Sequence, residues 1–294
     1  MTYEHPLAYV LGLEGVALLR AFAGEHDRDF IEARFREIRQ LLDGELATHP
    51  GVDVSTAESP EGYGIWAETY DGPNPAFGFV DTFIRPIAEQ LPSGIALDAA
   101  CGTGRITALL ADCGHKPIGV DATPEMLEQA RNRLPDTDFR VGPLENLPIA
   151  TASIDIVTCA LALSHVPDLT QVFTEFARVL RPGGHAIIAD IHPDRVARTH
   201  VPTVRLPDGT PARIRSHHHP TGDYVRAALA AGLSIRACKE PIPPQRLTST
   251  ALPPTTDPGP WEIWPWSLYS LIPEAASSAD VGAPSLLLWH FQRD

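Results

Sequence analysis

The residues best placed to do chemistry begin with Asp98-Ala-Ala-Cys-Gly-Thr-Gly104, an acid that ends a short apolar run and is followed by glycines. Gly102 and Gly104 have no Cβ to obstruct a ligand approaching the backbone. A strand-to-helix turn of this kind can take a nucleotide-type cofactor at the carboxyl ends of parallel strands, or be a plain tight turn with a helix-capping acid. Asp121 ends the next apolar run, 17 residues after Gly104, where its carboxylate can accept both hydroxyls of a ribose. Acid–base chemistry has three candidate places: His165, His192 and the run His217-His-His219. Imidazole near its ordinary pKa suits removal of a proton from an acceptor, while loop and capping roles fit the same residues. The triple histidine also admits a metal reading, with His192 or His200 as a further ligand. No carboxylate-rich set accompanies it, and no metal is expected.

These side chains need a scaffold that gathers strand ends, and the pattern from residue 94 onward supplies one. Residues 95–98, 117–121, 139–141, 154–160 and 185–191 read as strands. One intervening helix starts with Thr123 as N-cap, Pro124 at the first helical position and Glu125 in the first turn. Another, over 169–180, presents Val172, Phe173, Phe176 and Val179 on one face and is stopped by Arg181-Pro-Gly-Gly184. Strands alternating with helices predict an α/β fold with a doubly wound, mostly parallel sheet. Upstream, residues 7–46 read as two helices, 49–62 as a linker, 63–71 as a short aromatic segment and 76–90 as a helix. Downstream, 203–215 reads as a hairpin turning at Asp208-Gly209, kept at an edge or in a lid by Pro207 and Pro211. A helix over 223–231 and strands at 234–239 and 284–291 complete the pattern. The proline-rich stretch 241–260 leads into Trp261, Trp264 and Trp266, which either wall an apolar acceptor pocket or anchor the flap. The predicted organisation is an N-terminal helical extension and linker (1–62), a core (63–240, with the hairpin), a lid insertion (241–280) and a last core strand (281–294).

A dinucleotide site of the usual glycine pattern wants glycine at 107, where this chain has Thr107. Leu97-Asp-Ala-Ala-Cys-Gly-Thr-Gly104, Gly119-Val-Asp-Ala-Thr-Pro-Glu-Met126, Ile154-Asp-Ile-Val157 and Val179-Leu-Arg-Pro-Gly-Gly184 instead resemble the ordered motifs of class I S-adenosylmethionine-dependent methyltransferases. The resemblance covers about residues 63–240. It implies a seven-stranded Rossmann-like sheet with an antiparallel last strand, which 284–291 can supply, and S-adenosyl-L-methionine as cofactor. By position it implies that Asp98, Ala100, Gly102, Gly104 and Arg105 hold the methionine end, and that Asp121 and Ala122 serve the ribose. Met126, Leu144 and Glu145 then lie at the adenine, and Cys159 and Ala160 beside the methionine moiety. Tyr63, Trp66 and Tyr70 resemble the aromatic segment that closes over the cofactor in many members, where a ring face attracts the sulfonium. The same residues also fit plain packing of a short helix on the sheet. His218-His-Pro-Thr-Gly-Asp-Tyr224 resembles a pattern that puts His218 near substrate. Ala100 and Pro143 depart from the family, which usually has glycine at the first position and often an aspartate for the adenine amino group at the second.

The function expected is methyl transfer to an oxygen, nitrogen or carbon of a small, rather apolar metabolite, with His192, His218 and His165 as candidate bases. Recruitment to non-methylating chemistry (a cyclase or decarboxylase) and a peptide acceptor are the alternatives. A net charge of −14, with only two lysines, lacks the basic footprint of a nucleic-acid enzyme. Four cysteines without metal-ligand spacing point to reduced thiols and a cytoplasmic location. The apolar stretch 7–24 carries Glu14 and Arg20, so neither a signal peptide nor a membrane span is expected. A buried helix, or one that forms a homodimer, fits it better.

Overall fold

The computed structural model describes residues 1–242 and 256–294. In chain order it contains β1 (Thr2–Glu4), α1 (Pro6–Phe22), α2 (Arg28–Asp43), β2 (Val52–Ala57), α3 (Ser59–Trp66) and α4 (Pro75–Gln90). The alternating region follows as β3 (Ile95–Ala99), α5 (Arg105–Asp112), β4 (Lys116–Asp121), α6 (Pro124–Arg133), β5 (Asp138–Val141) and β6 (Ile154–Ala160). Then come α7 (Leu169–Val179), β7 (Leu180–Ile191), α8 (Pro193–Ala197), β8 (Thr203–Arg205), β9 (Pro211–Ile214) and α9 (Thr221–Ala230). The chain ends with β10 (Leu233–Lys239), α10 (Pro273–Asp280) and β11 (Leu286–Arg293).

Seven strands form one sheet in the order β10-β11-β7-β6-β3-β4-β5. β11 runs antiparallel to both of its neighbours, whereas β7, β6, β3, β4 and β5 pair in parallel. Parallel strands covered by helices on both faces are buried and read as continuous apolar runs. β3 and β6 obey this, with Ala96, Leu97, Ile156 and Val157 all at 1% exposure or less. Phe173 and Phe176 of α7 and Phe291 of β11 fill one side of the sheet, and Ile84, Leu110 and Ile187 lie in the cluster on the other. The sheet order reverses between β3 and β6, and the crevice at that switch point is where open α/β sheets bind ligands.

The chain divides into two compact units. One comprises 57–198, 214–241 and 284–294 and holds the seven-stranded sheet. The other is built from 1–56, 199–213 and the described part of 242–283. Its core joins Val10, Leu13 and Ala17 of α1 to Trp261, Trp264, Leu268 and Ala275. The stretch 49–62, expected as a linker, instead contains β2 and the start of α3. Val52, Val54 and Ala57 recur on a strand that lies in a second sheet, of order β1-β2-β9-β8. The hairpin expected in the core, now β8 and β9, falls with the N-terminal helices down to Arg213. An isolated hairpin is marginal in water, and two further strands give it a sheet to join. Most of the proline-rich segment, 243–255, lies outside the described residues. Among the described residues no helix is long and apolar enough to cross a membrane.

Candidate active site

β3 delivers Asp98 to the carboxyl edge of the sheet, 1% exposed. Its Oδ2 accepts a hydrogen bond from the Thr107 hydroxyl at 2.7 Å, and its Oδ1 one from Thr158 at 3.0 Å. Burial pushes its pKa up to about 6, against the pull of those two hydroxyls. Thr107, noted in the sequence for the glycine it replaces, therefore secures the acid that ends β3.

The chain then turns through Ala100, Gly102 and Gly104, all at positive φ (59°, 53° and 78°). The two glycines serve different ends. A Cβ at Gly104 would lie 3.2 Å from that of Ala130, so glycine here lets α6 pack against the loop. A Cβ at Gly102 would meet nothing within 4 Å, which leaves its backbone face open to a ligand. Ala100 takes the left-handed conformation despite its side chain, a conformation that costs about 1–2 kcal/mol in an L-residue.

Asp121, at the end of β4, braces this loop. Its Oδ2 accepts from the Gly102 N–H and its Oδ1 from the Thr123 N–H, each at 2.8 Å. Burial raises its pKa while those backbone donors oppose the rise. Asp71 ties in from outside, accepting from Thr103 at 2.8 Å and pairing with Arg133 at 2.5 Å. Arg105 does not point a free guanidinium at the loop: it pairs with Asp81 and covers the Phe77 ring at 4.3 Å. Met126, Leu144 and Cys159 are buried, Ala160 and Glu145 half-buried, and Ala122 exposed. Burial drives the Cys159 thiol far up, so it stays protonated.

The aromatic segment forms a wall. Tyr63 and Trp66 stack at 5.9 Å, Tyr70 meets Trp66 edge-on at 5.4 Å, and Phe77 follows at 5.5 Å. Gly62 and Gly64 let α3 settle against Ile214 and the Glu125 carboxylate of α6. Tyr70 is pushed up to about 12 by burial and by the Asp121, Asp71 and Asp98 carboxylates, against Arg105. Burial also raises Tyr63 well above the ordinary phenol range, with Tyr70, Asp190 and Asp121 adding to it.

The histidines separate. His165, in a single turn of 3-10 helix after β6, has Nδ1 2.7 Å from the Arg215 carbonyl and Nε2 2.9 Å from the Tyr63 hydroxyl. His192 is the N-cap of α8: Nδ1 accepts from the Asp194 N–H at 3.2 Å, and Nε2 lies 3.4 Å from Glu240. Both of its ring nitrogens are engaged and it is 6% exposed, which is the capping role that the sequence also admits. His218 is exposed, and its neighbour His219 is buried with Nε2 2.7 Å from the Val166 carbonyl. Among the described residues no three side chains converge as metal ligands.

The sequence reading missed Asp190 at the end of β7. It is fully buried, accepts from Tyr224 at 2.8 Å, Ser164 at 3.4 Å and the Ile191 N–H at 2.9 Å, and is pushed up to about 6 by burial. An acid near the end of an apolar strand was the signal that identified Asp98 and Asp121, and Asp190 carries it too. Trp261 and Trp264, by contrast, are core residues of the other compact unit, and Trp266 is half exposed.

A model of the methyltransferase domain family matches residues 97–188, from β3 into β7. An uncharacterized methyltransferase of Emericella nidulans is 30% identical over 236 residues, 65% of this chain and 81% of that protein. A demethylmenaquinone methyltransferase of Chlorobaculum parvum is 41% identical over 136 residues, 42% of this chain and just over half (56%) of that one. Among solved structures, an S-adenosylmethionine-dependent methyltransferase of Mesorhizobium loti has a TM-score of 0.50 at 23% identity, over 71% of this chain and 96% of that one. Geranyl diphosphate C-methyltransferase of Streptomyces coelicolor A3(2), solved with Mg2+, geranyl diphosphate and S-adenosyl-L-homocysteine, has a TM-score of 0.52 at 15% identity, over 74% and 79%. The chain belongs to the S-adenosylmethionine-dependent methyltransferases, with the class I Rossmann-like fold and that cofactor.

Proposed function

We propose that the enzyme transfers a methyl group to a small, rather apolar metabolite, with the cofactor held by the turn between β3 and α5. The observation that carries this reading is the loop itself: an open backbone face at Gly102, braced by Asp121 and flanked by buried Asp98. Carboxylates in a low-dielectric crevice favour a cationic ligand. Asp98 and the Gly102–Gly104 turn would take the methionine end, Asp121 the ribose, and Met126, Leu144 and Glu145 the adenine. The Tyr63, Trp66 and Tyr70 wall would face the sulfonium and exclude water. The relatives named for demethylmenaquinone and geranyl diphosphate support an apolar acceptor. Methyl transfer then needs alignment above all, for which orientation alone is worth effective molarities of roughly 10⁵ M or more.

Calorimetry with S-adenosylhomocysteine, followed by measuring its formation from S-adenosylmethionine over a panel of phenols, thiols, amines and prenylated compounds, tests the reading. Binding, and release with at least one acceptor, are expected. No binding, or product formed without S-adenosylhomocysteine, would reject it.

A further inference from the structure

We propose that Tyr63 and His165 form a proton-accepting pair whose outer atom is the Tyr63 hydroxyl oxygen, so that the enzyme serves acceptors that arrive still carrying their proton. This rests on the methyl-transfer reading above and adds the chemical state of the substrate to it.

The direction of the proton follows from donor and acceptor rules. The Arg215 carbonyl can only accept, so His165 Nδ1, 2.7 Å away, must carry a hydrogen. A neutral imidazole protonated at Nδ1 keeps its lone pair on Nε2. The Tyr63 hydroxyl, 2.9 Å from that nitrogen, is therefore the donor in their hydrogen bond. Its oxygen retains lone pairs for a second partner, and among the described residues His165 is the only group hydrogen-bonded to it. The rings meet edge-on at 5.2 Å, and Tyr63 remains half-buried, not sealed.

The surroundings keep the pair in this state. Burial lowers the His165 pKa, His217 lowers it further, and the Arg215 carbonyl opposes them, so the ring is neutral at pH 7. The Ser216 hydroxyl, 3.4 Å from Nδ1, adds a second polar neighbour on the same side. The phenol is held protonated by burial together with Tyr70, Asp190 and Asp121. Tyr63 is thus a conduit, and His165 is the base. Ser164, next to His165, bonds Asp190, which also accepts from Tyr224, so a buried network holds the turn that presents the imidazole. Leu161, at φ 57°, turns the chain off β6 into that segment, and its N–H bonds the Ala189 carbonyl at 2.7 Å.

When bound, S-adenosylmethionine supplies the methyl group and departs as a neutral thioether, its sulfur keeping the electron pair of the broken bond. The acceptor's X–H bond breaks, and its electron pair stays on X to form the new bond to carbon. Its proton goes to Tyr63 Oη as the proton already there passes to His165 Nε2. The positive charge that entered on sulfur ends on the imidazolium, which both the Tyr63 oxygen and the Arg215 carbonyl can accept hydrogen bonds from, and which then releases its proton to water.

The test uses the enzyme with 15N-labelled histidine, first without ligand and then with S-adenosylhomocysteine. Nitrogen NMR should show His165 as the Nδ1–H tautomer at pH 7, with Nε2 losing its hydrogen-bond shift in Tyr63→Phe. An Nε2–H tautomer, or a cationic ring at pH 7, overturns the proposal whatever the substrate is. On a phenol or thiol that turns over, Tyr63→Phe and His165→Gln should lower kcat about 100-fold or more, with S-adenosylhomocysteine affinity within about threefold of wild type. The acidic limb of the pH profile should disappear in His165→Gln. Wild-type kcat in both variants overturns the proposal as well. Failure of the unaltered enzyme to bind S-adenosylhomocysteine would instead reject the methyl-transfer reading, which the tautomer measurement does not depend on.

Discussion

Asp121 braces the glycine turn and is the acid proposed to meet the ribose. The sequence places it for ribose hydroxyls, and the structure adds that both of its oxygens already accept backbone N–H groups, from Gly102 and Thr123. Each oxygen has a further lone pair, so bracing the loop and meeting a ribose are compatible. Asp121→Ala removes both. It should weaken S-adenosylhomocysteine binding by about 1–3 kcal/mol and cost folding stability of similar size, because the Gly102 N–H loses its partner. Titration calorimetry and urea denaturation check the two effects; unchanged affinity with lowered stability would leave Asp121 as a loop brace alone. Asp98, Asp121 and the glycine turn were legible because each is an acid or a break at the end of an apolar run. What His165 and His192 do was not legible, since both follow strands alike. The separation arose from neighbours distant in sequence: Tyr63 and Arg215 for the first, Glu240 for the second.

At the scale of elements, the docking of α3 is the feature on which the aromatic wall depends. Gly62 of α3 packs directly on Ile214: a Cβ there would lie 2.5 Å from Ile214 Cγ1 and 2.7 Å from Cδ1. Gly62→Ala should therefore cost about 1–3 kcal/mol by overpacking. Ile214→Ala opens the space, so the double variant should be more stable than the sum of the two single changes predicts by about 0.5 kcal/mol or more, read from a denaturation cycle. Strict additivity would mean that α3 docks elsewhere. The core strands and helices were readable from periodicity because buried parallel strands and amphipathic helices have distinct repeats. β2 was not: its short run, Val52-Asp-Val-Ser-Thr-Ala57, sits among Gly, Pro, Ser and Thr and becomes a strand only by pairing with partners at the two ends of a long separation.

At the scale of the molecule, three separate stretches of chain make up the second compact unit, and its helices bury an acid. Glu14 of α1 is fully buried, no donor bonds its carboxyl oxygens, and Arg34 of α2 is 3.6 Å away. Arg34 also pairs with Glu37 at 2.7 Å and with Glu274 of α10 at 2.6 Å. Burial, with Glu37 next in effect, pushes Glu14 up to about 8 against the pull of Arg34. A folded-state pKa above the ordinary 4.5 means that the group's stability contribution is full below about 4.5 and is lost as pH rises through about 8. Glu14→Gln should thus gain on the wild type in urea midpoint between pH 5 and pH 8.5. A constant difference would show that Glu14 is ionised throughout. This cluster was hidden in the sequence because its members lie on α1, α2 and α10, some 260 residues apart at the extremes.

The sequence by itself determined the alternating sheet, the glycine turn after β3 and the methyltransferase family, because each depends on residues close together in the chain: an apolar repeat, a glycine where the backbone turns, an acid at a strand end. Only tertiary structure decided which partners each histidine meets and that the hairpin belongs with the N-terminal helices. It also decided that Trp261 and Trp264 fill a core. Those outcomes depend on which distant groups share a hydrogen bond or an apolar surface, and spacing along the chain carries no record of that choice.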